Sequence, residues 1–315
     1  MTKDKVLTLL ISSGGKTVSG EWLANEIGVS RMAISKAVSA LRDEGIAVEV
    51  LDRKGYVLPS FDLYRKESVI SALSGIIKVY YYDSLKGSSN NEAKAIAAGN
   101  KEPFCVVTRT QNGGRGRLGR SFSSPDGGLY LSIYLPSGML AEGDLITTNA
   151  ALAVARAVED ESGKEVGIKW VNDLYMGGRK FTGILTEGIV NLELGGLDGA
   201  VIGIGINVNS TMDDYPEELR AIVTTLREEC GHCFDRLSLL RNVVSNVIDY
   251  QKRDFIDEYR KRCFILGSHI TVDRMGLKRP ALALDVDERA RLVVRYEDDG
   301  SIAVLSSAEV SLHKS

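Results

Sequence analysis

Four segments of the chain concentrate residue types suited to handling an anion. From Thr110 to Arg120 the sequence TQNGGRGRLGR packs four glycines and three arginines into eleven residues, with no acid among them. Gly113, Gly114, Gly116 and Gly119 let the backbone approach a bound group closely, and Arg115, Arg117 and Arg120 supply forked donors for carboxylate or phosphate. Basic glycine-rich loops of this kind also meet nucleic acid. In KWVNDLY, Lys169 to Tyr175, the amide of Asn172 and the carboxylate of Asp173 follow a cation. A carboxylate beside a phosphate site orients Mg²⁺ or an incoming amine. In GRKFTGILTE, Gly178 to Glu187, Lys180 begins a strand after a glycine turn and can meet a carboxylate and a phosphate together. In VIGIGINV, Val201 to Val208, the side chains Ile202, Ile204, Ile206 and Val208 face one way, and Gly203, Gly205 and Asn207 face the other. Two bare glycines on one face weaken a strand. A flat ligand lying there, or a closely packed helix, accounts for them.

Absences narrow the chemistry. No G-x-x-x-x-G-K-[ST] occurs, so the chain is not a P-loop enzyme. His232, His269 and His313 lie outside all four segments, and no serine or cysteine elbow has a neighbouring histidine. Covalent catalysis by the protein is not expected. What remains is a Lys/Arg-rich site with one carboxylate, suited to charge stabilisation in nucleotidyl transfer. The plain alternative for the second and third segments is a polar hairpin end.

These segments need elements to hold them. Residues 63–265 alternate strands and helices. Asn91 to Ala98 and the Ala-rich stretch Ile146 to Glu161 read as helices, and Leu129 to Leu135 alternates as a strand. From residue 266 onward the pattern is short strands and turns: His269 to Val272, Ala281 to Val286, Arg291 to Tyr296 and Ile302 to Leu305. Residues 1–62 read as helix, turn, helix and basic-tipped hairpin. Ser19 and Ser30 are candidate N-caps, Ile34, Ala37, Val38 and Leu41 form a core stripe, and Gly45 ends the third helix. Arg31, Ser35 and Arg42 lie opposite that stripe with Lys36 beside them, and Arg53 and Lys54 tip the hairpin. This is a winged helix-turn-helix, whose third helix fits a major groove and whose wing touches backbone phosphates. Ser30, at the helix start, joins these as a candidate DNA contact. The alternative is a protein-binding winged helix or a solvated polar face.

The bulk composition agrees with an ordinary globular chain: 315 residues, 44% hydrophobic, 26% charged, net charge −3. No global basicity advertises nucleic acid, so any such contact comes from local clusters. No apolar run reaches a membrane span and no signal peptide is read, which makes a reducing cytoplasm the expected location. Four cysteines make no disulfide framework at this length; Cys230-Gly-His-Cys233 has redox or zinc spacing but lacks a second ligand pair.

Taken in order, GRGRLGR, KWVNDLY, GRKFTGILTE and GIGINVN resemble the four hallmark segments of biotin protein ligases. The N-terminal GVSRMAISKAVSALRDEGI and RKGYVLP resemble the DNA-binding unit of the bifunctional type that is also the biotin operon repressor, and SSAEVSL resembles that family's last strand. The resemblance covers essentially the whole chain. It implies an α+β protein with three parts: a winged helix-turn-helix, a central mixed-sheet ligase domain of the biotin/lipoate type, and a small SH3-like β-barrel, over residues 1–62, 63–265 and 266–315. It implies that biotin's carboxylate attacks the α-phosphate of MgATP to give biotinyl-5′-AMP. A lysine of biotin carboxyl carrier protein then takes the biotinyl group.

By the same resemblance Gly183, Gly203 and Gly205 lie along biotin's bicycle, and Ser88, Ser89, Asn90 and Gln111 hold its ureido ring, with an alignment through Ser84 as the alternative. Gly114, Arg115, Gly116 and Arg117 close over biotin. Lys180 bridges its carboxylate and the α-phosphate. Lys169, Asn172, Arg117, Arg120 and Asn207 hold the nucleotide, and Asp173 orients Mg²⁺ or the acceptor lysine. The adenylate, unconsumed, promotes homodimerisation and operator binding. Val171 stands where the family usually has Pro, Leu118 replaces a frequent Arg, and His313 stands where close relatives have Arg. A ligand-sensing repressor without catalysis, a lipoate-type ligase and a ligase whose winged helix no longer regulates are the competing readings. The complete set of Lys180, Asp173 and arginines favours catalysis, and the glycine-faced strand favours biotin.

Overall fold

The computed structural model describes all residues except 1, 14, 44–45, 47, 52–53, 59–63, 192–195, 275, 307 and 313–315. Gly45, Arg53 and His313, and the boundary expected at 62/63, therefore lie outside the described residues.

The chain starts with three helices, α1 (Thr2–Ser12), α2 (Gly20–Ile27) and α3 (Arg31–Asp43), and a hairpin of β1 (Glu49–Leu51) and β2 (Gly55–Val57). Ser19 accepts from the Trp22 N–H and Ser30 from the Ala33 N–H, so both expected caps are made. Ile34, Ala37, Val38 and Leu41 are buried with Val6, Leu10 and Leu23 in a core of their own. Burying each of these Val, Leu and Ile side chains contributes about 1.5–3 kcal/mol towards ordering the unit. The other face of α3 leaves Arg31, Ser35, Lys36 and Arg42 exposed.

The central part runs α4 (Lys66–Ala72), β3 (Lys78–Leu85), α5 (Ser89–Ala97), β4 (Phe104–Gln111), β5 (Leu129–Pro136), α6 (Leu145–Ser162), β6 (Gly167–Lys169), β7 (Asp173–Met176), β8 (Arg179–Asn191) and β9 (Gly196–Ile206). Four helices follow: α7 (Glu217–Arg220), α8 (Leu226–Cys230), α9 (Arg236–Tyr250) and α10 (Ile256–Arg262). Its seven strands form one mixed sheet in the order β3-β4-β5-β9-β8-β7-β6, with β3 and β4 parallel and the rest antiparallel. One face carries α6 and α9. The other carries α5 in a smaller core with Phe104, Tyr134 and Val201. The helix α5 starts two residues earlier than the sequence pattern suggests, because the Ser88 hydroxyl accepts the Asn91 N–H and caps it.

The last part is a five-stranded antiparallel sheet of β10 (His269–Arg274), β11 (Leu277–Val286), β12 (Leu292–Tyr296), β13 (Ile302–Leu305) and β14 (Glu309–Leu312), in the order β13-β12-β11-β10-β14. Among the described residues β13 and β14 do not pair, so the sheet is not closed. It shares a core with the central sheet, and the Trp170 indole donates to the Ala290 carbonyl at 2.9 Å.

Candidate active site

The basic segment leaves β4, turns on itself and returns towards β5. Gly116 N–H reaches the Arg120 carbonyl at 2.8 Å, Phe122 N–H the Gly114 carbonyl at 2.9 Å, and Gly113 N–H the Gly87 carbonyl at 3.1 Å. A Cβ on Gly114 would lie 2.2 Å from the Phe122 carbonyl oxygen, so only glycine permits this crossing. The folded-back loop presents Arg115 to Asn91 (2.9 Å) and towards Glu187 (3.7 Å), and Arg117 to the Asn172 side chain (3.3 Å). Burial pushes the Arg117 guanidinium pKa down, and nearby Asp173 opposes that.

Arg117 and Arg120 face Asn172, Asp173 and Lys180 across a cavity of about 110 Å³. Asn172 is fixed by two bonds to Ile184, its side-chain amide donating to the Ile184 carbonyl at 2.7 Å and its main-chain carbonyl accepting the Ile184 N–H at 3.1 Å. Lys180 sits one residue inside β8, and its ammonium is 2.6 Å from the Asp173 carboxylate. Burial lowers the Lys169 pKa; Asp173 works against this, while Lys180 and Arg120 add to it. Among the described residues one carboxylate, Asp173, lines this cleft beside Arg115, Arg117, Arg120 and Lys180, a charge balance that favours an anion. The fourth wall comes from the last sheet, through Ala308 and Val310 of the segment around β14.

A smaller cavity of about 20 Å³ adjoins, lined by Ser88, Ser89, Asn90, Gln111, Phe122, Gly203 and Gly205. Arg115, Gly183 and Leu185 line both cavities. Here polar groups are buried and paired. Asn90 donates to the Leu185 carbonyl (3.1 Å) and Glu187 (2.9 Å) and accepts from the Ser132 hydroxyl (2.6 Å). Ser132 and Ser89 hydroxyls are 2.8 Å apart. Gln111 accepts the Ser89 N–H at 2.9 Å and donates to Ser124 at 3.0 Å. Ser84, by contrast, lies exposed on β3. Burial raises the Glu187 pKa, but hydrogen bonds from Lys94 and Asn90 and the charges of Lys94 and Arg115 outweigh it and leave the carboxyl below its ordinary value.

The glycine face of β9 is covered by the chain itself. A Cβ on Gly205 would be 2.5 Å from the Phe122 ring, one on Gly183 3.1 Å from it, and one on Gly203 2.0 Å from the Asn90 amide oxygen. Asn207 follows the strand. Its amide donates to the Thr224 carbonyl at 3.1 Å, while its buried side-chain oxygen finds no hydrogen-bond partner among the described residues.

Of the residues expected at this site, Ser88, Ser89, Asn90, Gln111, Arg115, Gly116, Arg117, Arg120, Asn172, Asp173, Lys180, Gly183, Gly203 and Gly205 line these two adjoining cavities, whereas Gly114, Lys169 and Asn207 line neither. The candidates on α3 and the hairpin belong to the separate N-terminal unit; there the Ser30 hydroxyl is engaged in capping, and Lys54 is exposed in the turn. Sequence reasoning missed Phe122, Ser132, Glu187 and the Ala308–Val310 wall. Phe122 had a visible signal, as the one aromatic residue closing the glycine- and arginine-rich stretch. Among the described residues no three His, Cys, Asp or Glu side chains cluster as metal ligands, Cys230 and His232 included.

Comparison with known proteins places this geometry. Residues 88–207 match the model of the biotin/lipoate A/B protein ligase family, and residues 2–57 match an HTH domain model. The chain is 34% identical to the bifunctional ligase/repressor BirA of Bacillus subtilis (strain 168), covering 98% of this chain and 97% of that one. It is 32% identical to BirA of Escherichia coli (strain K12), over 98% and 96% of the two chains. Among solved structures, the biotin protein ligase from Aquifex aeolicus in complex with biotin and ATP superposes with a TM-score of 0.64 at 27% identity, covering 76% of this chain and 99% of that one. With an N-terminal helix-turn-helix ahead of a ligase sheet, and this likeness along nearly its full length, the chain belongs to the family of bifunctional biotin ligase/repressors.

Proposed function

We propose that this protein activates biotin with ATP to biotinyl-5′-AMP, transfers biotin to a lysine of biotin carboxyl carrier protein, and acts as a biotin-responsive transcriptional repressor. The observation that carries the enzymatic part is the pair of joined cavities: a slot of buried amides and hydroxyls opening into a cationic cleft, with Gly183 and Arg115 at the junction. A ligand with a flat uncharged ring at one end and a carboxylate at the other matches the polarity of such a pair.

Biotin's ureido ring meets Ser88, Ser89, Asn90 and Gln111. Its bicycle takes the Gly183, Gly203 and Gly205 face. About 20 Å³ holds roughly one water, so the Phe122 ring lifts off Gly183 and Gly205 to admit it. The carboxylate then points at Lys180. Gly114 and Gly116 shape the loop that lays Arg115 and Arg117 over the bound acid. Lys180, Arg117, Arg120 and Lys169 stabilise the charge that grows as carboxylate attacks the α-phosphate, and Asn172 anchors Arg117. The unpartnered oxygen of Asn207 accepts from the adenine amine. Among the described residues Asp173 is the single carboxylate lining the cleft, and in this reading it sits beside Mg²⁺ brought in as part of the MgATP substrate. The closed loop keeps water from the mixed anhydride until the acceptor amine arrives.

Ser30, Arg31, Ser35, Lys36, Arg42 and Lys54, with Arg53 next to it in sequence, contact operator DNA. Adenylate-loaded protein dimerises, which sets two winged helices on a palindrome. One sheet edge suits a partner: beyond Ile184, β8 pairs only with β9 among the described residues, and Val190 and Leu197 near its end are exposed. The domain boundaries are set at 62/63 and 265/266. The last sheet is assigned as a small SH3-like barrel, supported by its five short antiparallel strands and the register shift at Ala283/Asp285. Among the described residues no helix is long and apolar enough to cross a membrane.

Incubation with biotin, MgATP and a carrier-domain fragment is expected to raise the carrier's mass by one biotinyl group. No gain, with folded protein and a competent carrier, removes the ligase reading. Arg31→Ala is expected to weaken duplex binding by the adenylate-loaded protein roughly tenfold or more, measured by fluorescence anisotropy, with carrier biotinylation unchanged. Loss of both together would overturn the division of labour between the units.

A further inference from the structure

Behind the smaller cavity four side chains form a line: Ser89, Ser132, Asn90 and Glu187. Ser132 stands opposite Gly203 in the β5/β9 ladder, and Leu185 stands opposite it on β8. The Asn90 amide nitrogen is 3.1 Å from the Leu185 carbonyl and 2.9 Å from the Glu187 carboxylate. Both of those groups can only accept, so the NH2 must face them and the amide oxygen must face the other way. It does: that oxygen lies against Gly203, where a Cβ would be 2.0 Å from it, and 2.6 Å from the Ser132 hydroxyl. The oxygen can only accept as well, so the single hydrogen of Ser132 goes to it. Ser132 has none left for Ser89, 2.8 Å away, so across that contact the Ser89 hydroxyl is the donor. The hydrogens thus run one way, from Ser89 to Ser132 to Asn90 to Glu187. Ser132 does not line the cavity; Ser89 does, and with its hydrogen turned inward it offers the cavity lone pairs.

The direction hangs on the last member. Were the Asn90 amide turned over, its NH2 would face Ser132, Ser132 would donate to Ser89, and the Ser89 hydrogen would point into the cavity. The cavity would then present a donor where it now presents an acceptor. The Glu187 carboxylate opposes that turn because it holds no hydrogen. Burial works against its ionisation, but Lys94 at 2.7 Å, Asn90, and Arg115 at 3.7 Å keep its pKa below the ordinary value. We propose that Glu187 is a positioning residue that sets the direction of this chain, so that Ser89 meets the ligand as a hydrogen-bond acceptor and biotin is selected through one of its ring N–H groups. This deepens the ligase reading and rests on it. Low-dielectric surroundings make such a fixed polarity selective, since a ligand without the N–H leaves the buried acceptor unmet.

The test uses the full chain and calorimetry with three ligands: biotin, and the two analogues in which one or the other ureido N–H is replaced by CH2. Wild-type protein is expected to bind one of the two analogues at least about thirtyfold more weakly than biotin. Glu187→Gln keeps the shape but adds an NH2 that can face Asn90, leaving only the Leu185 carbonyl to oppose the turn. It is expected to bind biotin roughly tenfold more weakly and to narrow the gap between biotin and that analogue to about threefold. Its kcat for adenylate formation at saturating biotin is expected to stay within about threefold of wild type. Ser132→Ala cuts the chain in its middle, frees the Ser89 hydrogen to turn outward, and is expected to narrow the gap likewise. The gap compares two ligands on one variant, so a general loss of stability cancels from it. The proposal is overturned if wild type binds both analogues as tightly as biotin, or if either variant keeps the gap at its wild-type size. Wild-type protein that binds no biotin and makes no biotinyl-AMP would sink the underlying ligase reading instead, a result distinguishable from these.

Discussion

Lys180→Ala is expected to lower the rate of biotinyl-AMP formation by a factor of about 10²–10³, with biotin binding weakened far less. The ammonium lies 2.6 Å from the Asp173 carboxylate in the cationic cleft, where the proposed reaction joins the acid to the α-phosphate. Its contribution grows as negative charge builds on the phosphoryl oxygens, so its loss appears in kcat rather than in ground-state affinity. The backbone of residue 180 is held independently, N–H to the Ile222 carbonyl and carbonyl to the Thr224 N–H, so the strand survives truncation. Biotin-dependent exchange between pyrophosphate and ATP measures the step, and calorimetry with biotin measures binding. A kcat within threefold of wild type would remove Lys180 from the chemistry.

Gly203→Ala is expected to weaken biotin binding about a hundredfold. The added Cβ would lie 2.0 Å from the Asn90 amide oxygen, well inside any real contact. Asn90 cannot step aside cheaply, because Ser132, Leu185 and Glu187 all hold it by hydrogen bonds. Breaking two bonds to buried groups costs about 1–3 kcal/mol each, and about 2.8 kcal/mol corresponds to a hundredfold in affinity. Glu187 would then lose one of the donors that keep it ionised, and Arg115 would lose part of its anchorage. Calorimetric titration with biotin checks the loss, and the cooperative melt separates it from unfolding. Unchanged affinity would show that the slot beside Gly203 is not where biotin's ring binds.

The parts legible in the sequence were those whose cause is local. The stripe Ile34, Ala37, Val38 and Leu41 is a helical repeat, Ser19 and Ser30 cap within three residues, and the alternation through Gly203 and Gly205 fixes which face of β9 is bare. What covers that face was not legible. The bare strand points to a flat ligand, and the structure puts the Phe122 ring and the Asn90 amide there, delivered by a loop and a helix from elsewhere in the chain. Ser132 is likewise silent in sequence, one serine in a strand of apolar residues, and gains meaning only when β5 lies beside β9 and under α5. Ala308 and Val310 reach the cleft only because the last sheet shares a core with the central one. The open ends of that sheet depend on how β13 and β14 curl, which strand patterning does not encode.

The Phe122 ring resting on Gly183 and Gly205 changes what kind of event ligand entry is. An empty apolar slot would hold disordered water whose release drives binding. In this slot the Phe122 ring already covers the two glycines, so in the proposed binding mode one flat ring is exchanged for another on Gly183 and Gly205. The gain from dehydrating the pocket wall was collected when the chain folded, and what biotin adds is its own desolvation together with its buried hydrogen bonds. The heat-capacity change of association should therefore be smaller than the area of the bicycle suggests, with selectivity resting on the ureido contacts rather than on greasiness.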